Sequence, residues 1–166
     1  MPEPFSKSHV YLLLGANLGD KQQTFTHASR YVAEQIGPIV AQSGLYETAA
    51  WGITDQPAFL NQVLMVETDL SPDDVLAKTQ AIEQKLGRSR AEKWAARVID
   101  VDLLFYDDLI LNTPTLTLPH PFLHQRRFTL VPLAELAPDM IHPVLKQTVL
   151  ALLANCPDEG EVIKLS

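Results

Sequence analysis

Two aspartates one residue apart, Asp100 and Asp102, are embedded in the stretch Arg97-Val98-Ile99-Asp100-Val101-Asp102-Leu103-Leu104-Phe105. The flanking residues are mostly strand formers, so the stretch is expected to be a buried β-strand. Side chains alternate along a strand, which turns Asp100 and Asp102 to one face, in a row with Val98 and Leu104. Two carboxylates held side by side in apolar surroundings repel each other and lose solvation. A hard divalent cation between them removes that cost, and Mg²⁺ carrying a polyphosphate is the usual case. The cluster Arg88, Arg90, Lys93 and Arg97 lies just upstream and offers counter-charge for phosphate oxygens. The plain alternative is an edge strand with two solvated aspartates.

The rest of the chain supplies a frame for that strand. His9–Leu14 reads as a first strand ending at Gly15, and Gly15-Ala16-Asn17-Leu18-Gly19-Asp20 as a turn with Asp20 capping a helix. Phe25, Ala28, Val32 and Ile36 keep helical spacing up to the stop Gly37-Pro38. Ile39–Tyr46 reads as a second strand, 47–57 as a loop and Leu60–Leu70 as a third strand. Ser71-Pro72-Asp73-Asp74 is a strong helix start, and Val75, Thr79, Ile82 and Leu86 line one face before Gly87. Prolines break the remainder into short elements, with a last helix expected over about 145–154. The order strand, helix, strand, strand, helix, strand predicts an α+β fold, a ferredoxin-like βαββαβ sandwich with an antiparallel sheet and added C-terminal elements.

At 166 residues a single domain over 1–166 is expected. The apolar runs Val10–Leu14 and Val149–Ala154 are too short to cross a bilayer. No secretory signal is visible, and the one cysteine, Cys156, fits a reducing cytoplasm. A net charge of −7 argues against a general nucleic-acid surface. Positive charge is local, around Arg88–Arg97 and at Arg126-Arg127, which suits a small anionic ligand.

Several segments, in order, together resemble the 6-hydroxymethyl-7,8-dihydropterin pyrophosphokinases of folate biosynthesis. They are Leu14-Gly15-Ala16-Asn17-Leu18-Gly19-Asp20, Ser43-Gly44-Leu45-Tyr46-Glu47-Thr48, Asp55-Gln56-Pro57-Ala58-Phe59-Leu60-Asn61 and Gly87-Arg88-Ser89-Arg90. The series continues through Arg97–Asp102, Leu118-Pro119-His120-Pro121, Arg126-Arg127-Phe128 and Pro132-Leu133. The resemblance implies transfer of the β,γ-diphosphate of ATP to the pterin hydroxymethyl oxygen, with release of AMP and use of two Mg²⁺ held by Asp100 and Asp102. It implies that Arg88 and Arg97 act on the transferred phosphates. Gln80, Glu83, Arg90, Trp94, Thr117, His120 and Arg126, with Arg97, are implied on the nucleotide side. On the pterin side, Phe59 and Phe128 match the stacking positions, Asn61 the amide that reads the heterocycle's edge, and Thr48 and Trp51 the loop that completes it. No protein nucleophile is required, because positioning and charge neutralisation suffice. A monomer acting on two small molecules, with no nucleic acid and no membrane, is expected.

Taken singly, these residues have plainer readings: core for the phenylalanines, a rim anchor for Trp94, a solvated face for Gln80 and Glu83. The chain also departs from many relatives. Thr48-Ala49-Ala50 replaces Thr-Pro-Pro, Ala96 replaces a proline, and phenylalanine fills a stacking position that can be tyrosine. The loop from Arg88 to Ala96 is expected to be mobile when empty and to close over ATP. Two other functions compete. An RNA-recognition module shares the topology but needs exposed aromatics in a basic Gly-aromatic pattern, which is absent. A nucleotidyltransferase built on Asp100 and Asp102 would release pyrophosphate rather than AMP.

Overall fold

The structure, a computed structural model, describes residues 7–48, 58–87 and 98–165. Strand β1 (Ser8–Ala16) leads into a turn where Gly19 adopts φ +62°, a conformation open to glycine at no steric cost. The Asp20 carboxylate then accepts the Gln23 backbone N–H at 3.1 Å, capping α1 (Lys21–Gln35), whose buried stripe is Phe25, Ala28 and Val32. Two short strands follow, β2 (Ile39–Gln42) and β3 (Tyr46–Thr48), then the long β4 (Phe59–Thr68). Helix α2 (Pro72–Gly87) starts under the Ser71 hydroxyl, which accepts the Asp74 N–H at 3.2 Å, and buries Val75, Thr79 and Ile82. Strand β5 (Asp100–Tyr106) completes a βαββαβ frame whose second strand is split into β2 and β3.

The strands pair antiparallel in the order β5-β1-β4-β3, with β2 also on β4 and a short β8 (Ile163–Lys164) outside β3. This is the ferredoxin-like arrangement expected from the sequence. A small hairpin, β6 (Leu111–Asn112) with β7 (Thr117–Leu118), and two further helices, α3 (Arg127–Leu136) and α4 (Val149–Ala154), follow β5.

The sheet separates two apolar clusters. Under α1 and α2, Phe25, Ala28, Val32, Val75 and Ile82 pack on Val10, Leu12, Leu14, Leu60, Leu64 and Val66. On the opposite face Leu130 and Leu133 of α3, with Val149 and Leu152 of α4, pack on Tyr11, Leu13, Val63, Leu104 and Phe105. Burial on both faces supplies the driving force for the fold.

Two expectations need correction, and the expected buried strand is found at an edge. The single strand over 39–46 is two, because Ser43 breaks the ladder: its hydroxyl accepts the Val63 N–H at 2.9 Å, and its carbonyl accepts the Gln62 side-chain amide at 2.8 Å. The last helix begins at Val149 rather than 145, where Thr148 caps it by accepting the Ala151 N–H. The Asp-x-Asp strand has buried side chains (Ile99, Val101, Leu103, Leu104, Phe105), yet β5 is an edge strand. Its open edge is covered rather than paired: the Val101 N–H donates to Glu83 Oε2 at 2.7 Å, and the Leu104 carbonyl accepts the His120 N–H at 2.9 Å. A register shift against β1 turns both Leu104 and Phe105 towards α3. Among the described residues no helix is long and apolar enough to cross a membrane.

Candidate active site

The alternation of β1 fixes the site. Leu12 and Leu14 face the α1–α2 layer, so Leu13 and Gly15 face the α3 layer. Asp102 lies opposite Leu13 and Asp100 opposite Gly15, which places both carboxylates on the α3 face, each half-buried. Gly15 is also opposite Asn61 on β4, and Asn61 is opposite Tyr46 on β3. One transverse row therefore reads Asp100, Gly15, Asn61, Tyr46. With strands spaced about 4.8 Å apart, Asp100 and Asn61 stand roughly 10 Å apart at the backbone, separated by a residue without a side chain. A Cβ on Gly15 would lie 2.9 Å from Asn61 Nδ2, so the glycine both opens this floor and leaves the amide its place.

Asn61 is 4% exposed. Its Nδ2 donates to the Leu14 carbonyl at 3.3 Å, while its Oδ1 is buried without a hydrogen-bond partner among the described residues. A buried acceptor with no donor costs about 1–3 kcal/mol, which a ligand N–H would recover. Phe59, two residues earlier on β4, shares the face, and Thr48 is its cross-strand neighbour. Phe128, in the first turn of α3, packs on the same side.

The metal-binding expectation fits the donor set. Two carboxylates aligned on one face match Mg²⁺, which takes one or two carboxylates and completes its shell with phosphate and water. Among the described residues no group of three His, Cys, Asp or Glu is gathered that could hold a metal by itself.

Around the β5 edge the same Asp102 borders a cleft of about 250 Å³, lined also by Leu76, Val101, Thr117 and His120. His120 follows the cis Leu118–Pro119 bond. Burial, reinforced by the nearby Arg126 charge, lowers its pKa to about 4. Its ring is therefore neutral at pH 7. Nδ1 accepts the Phe122 N–H at 3.2 Å, so the ring proton sits on Nε2, a donor suited to a phosphate oxygen. Arg126 occupies the N-cap position of α3 without a side-chain capping bond, and its guanidinium lies 5.3 Å from the Phe122 ring centre and 5.8 Å from that of Phe128. Arg126 thereby stands between the His120 and Phe128 regions.

Leu76, Gln80 and Glu83 follow one stripe of α2 beside β5; Leu76 lines the cleft, Gln80 is exposed, and Glu83 holds the Val101 amide between the two aspartates. That backbone contact was not foreseen in the sequence, nor was the clearing role of Gly15, whose motif was visible but whose register was not. Arg88, Arg90, Trp94, Arg97 and Trp51 lie outside the described residues, as does the loop expected to close over ATP.

Comparison with known proteins accords with this layout. The family described as 7,8-dihydro-6-hydroxymethylpterin-pyrophosphokinase (HPPK) matches residues 11–138. The 2-amino-4-hydroxy-6-hydroxymethyldihydropteridine pyrophosphokinase of Methylorubrum extorquens is 41% identical over 154 residues, covering 92% of this chain and 96% of that protein. The folic acid synthesis protein FOL1 of Dictyostelium discoideum is 37% identical over 153 residues, 92% of this chain but 23% of that protein. A crystal structure of wild-type Plasmodium falciparum HPPK-DHPS has the same fold, with a TM-score of 0.73 at 17% identity, over 93% of this chain. The chain spans 45% of that longer solved chain.

Proposed function

The chain belongs to the 7,8-dihydro-6-hydroxymethylpterin-pyrophosphokinase family, and from that premise we propose how its own residues divide the reaction. The enzyme transfers the β,γ-diphosphate of ATP to the hydroxymethyl group of 6-hydroxymethyl-7,8-dihydropterin, a step of folate synthesis that leaves AMP. The pterin oxygen bonds to the β-phosphorus as the bond from that phosphorus to the AMP oxygen breaks. No residue is alkylated or phosphorylated on the way.

In our reading the pterin occupies the α3 face with its edge against Asn61, whose orphaned Oδ1 is the observation that carries the assignment. Phe59 and Phe128 cover its faces, and Thr48 and Trp51 complete its edge. The hydroxymethyl arm then lies over Gly15 and points at Asp100 and Asp102. Two Mg²⁺ held by these carboxylates would supply charge neutralisation of the triphosphate and orientation of the hydroxyl. The neutral His120 donates from Nε2 to a phosphate oxygen, with Thr117, Gln80, Glu83 and Arg126 on the nucleotide side. Arg90 and Trp94 close that side, while Arg88 and Arg97 act on the phosphates in transfer. We further take residues 1–166 to form one domain that acts as a cytoplasmic monomer.

The test is incubation with ATP, Mg²⁺ and the reduced hydroxymethylpterin, followed by separation of nucleotides. AMP formed in step with the pterin diphosphate supports the assignment. Release of pyrophosphate, the mark of a nucleotidyltransferase, overturns it.

A further inference from the structure

We propose that Glu135 is a positioning residue that sets the width of the pterin pocket through Tyr46. The inference rests on the functional reading above. Glu135 lies near the C-terminal end of α3, seven residues after Phe128, so the two project from one side of the helix, two turns apart. Its carboxylate gathers three other segments. The Tyr46 hydroxyl of β3 donates to Oε1 at 2.5 Å, the Gly44 N–H of the β2–β3 connection donates to both oxygens at 3.2 and 3.3 Å, and Lys164 of β8 approaches Oε1 at 3.5 Å. Burial alone would raise this carboxyl, but those bonds outweigh it and hold its pKa below the ordinary value.

The consequence lies in what each end of the clamp carries. Tyr46 is 7% exposed and directly opposite Asn61; two residues further on, Thr48 is directly opposite Phe59. On the strand side, one hydrogen bond therefore secures the pair of strands that bears Asn61, Phe59 and Thr48. On the helix side it fixes the rotation of α3 about its own axis, and with it the direction of Phe128. Phe59 on the strand and Phe128 on the helix are the two faces assigned to the heterocycle. Glu135 carries the polar ties between these supports among the described residues, to the buried Tyr46 hydroxyl and also to the Gly44 N–H and Lys164, while Leu130 and Leu133 of α3 meet the sheet through apolar packing. The nucleotide cleft, at the far β5 edge, touches none of these groups.

Steady-state kinetics of Tyr46→Phe, Glu135→Ala and Glu135→Gln test this. Loss of the tie is expected to raise the pterin KM roughly five- to ten-fold in the first two variants, about the net worth of one ordinary hydrogen bond. The ATP KM and kcat should stay near wild type. Glu135→Gln keeps an acceptor for Tyr46 and should recover most of the pterin KM. Tyr46→Phe loses only a hydroxyl, so it carries the test alone should Glu135→Ala not fold. A lowered melting temperature with both KM values unchanged, or both KM values raised together, would overturn the proposal. Absence of activity in the wild type would overturn instead the functional reading it rests on.

Discussion

The two faces of the sheet are built by the same strands and put to different uses. Towards α1 and α2, β1 presents Val10, Leu12 and Leu14, and β4 presents Leu60, Leu64 and Val66, each at most 1% exposed. Towards α3 the same strands present Tyr11, Leu13 and Val63, after which the apolar row stops. Asp102, Asp100, Gly15 and Asn61 take the positions where further hydrophobics would pack. One face is closed to its end. The other gives up burial at one end, leaving two carboxylates on an edge strand and an amide oxygen with no donor among the described residues. Apolar burial and the polar residues proposed for the chemistry are thus segregated by the strand period of two.

The strongest way to break that contrast is to exchange its two kinds of residue. Asp102→Asn should lower AMP formation on the order of a thousand-fold at saturating Mg²⁺, the scale of losing a central electrostatic contact in a reaction site. Its melting temperature should change little, because asparagine keeps the shape of this half-buried side chain. Leu14→Ala on the closed face should do the reverse, costing about 2–5 kcal/mol in denaturant unfolding while activity per folded molecule stays close to wild type. Near-normal turnover in Asp102→Asn, or selective loss of activity in Leu14→Ala, would undo the segregation.

Much of this division was legible in the sequence because it follows from local rules. Alternation from Ile99 to Leu104, caps at Asp20 and Ser71, and helical spacing in Phe25–Val32 and Val75–Ile82 depend on neighbours within a few residues, and each was realised. What was not legible depends on register between distant strands. That Asp100 and Asn61 flank Gly15 is set by two separate ladders, and nothing local in any of the three residues announces it. Helix α3 escaped notice because Pro132 lies inside it and reads as a breaker, although Leu130 and Leu133 bury fully around it. The break at Ser43 escaped for a similar reason, since its hydroxyl replaces a ladder bond that an apolar pattern cannot reveal.

Asn61→Ala sharpens the contrast within the open face. Removing the amide should weaken pterin binding by about 1–3 kcal/mol, while binding of an ATP analogue with Mg²⁺ stays nearly unchanged. Calorimetric titration of both ligands reads the split, and loss on the nucleotide side instead would mean that Asn61 does not face the heterocycle. A smaller effect is expected from Gly15→Ala. The new methyl would meet Asn61 Nδ2 at 2.9 Å, and the amide must swing by a few tenths of an ångström to admit it. The expected result is a rise of about two- to five-fold in pterin KM, on the order of 0.5–1 kcal/mol, with the ATP KM unmoved. An unchanged pterin KM would show that the row does not act as a floor.

The smallest expected effect concerns His120, at the β5 edge where the cleft reaches Asp102 of the open face. Folding lowers the pKa of His120 from 6.5 to about 4, through burial first and the Arg126 charge second. Between these values the unfolded chain takes up a proton that the folded chain refuses. The contribution of His120 to stability is therefore complete above pH 6.5 and lost as the pH falls towards 4. His142, buried beside Phe105 and also lowered, acts in the same direction, so the wild-type curve alone does not isolate His120. Urea unfolding of wild type and His120→Gln at pH 7, 5.5 and 4.5 does isolate it. The difference between the two proteins should shift towards the variant as the pH falls, because glutamine has no proton to gain. A difference independent of pH would mean that the ring is already solvated in the folded protein, and the neutral Nε2 donor assigned to the phosphate side would lose its basis.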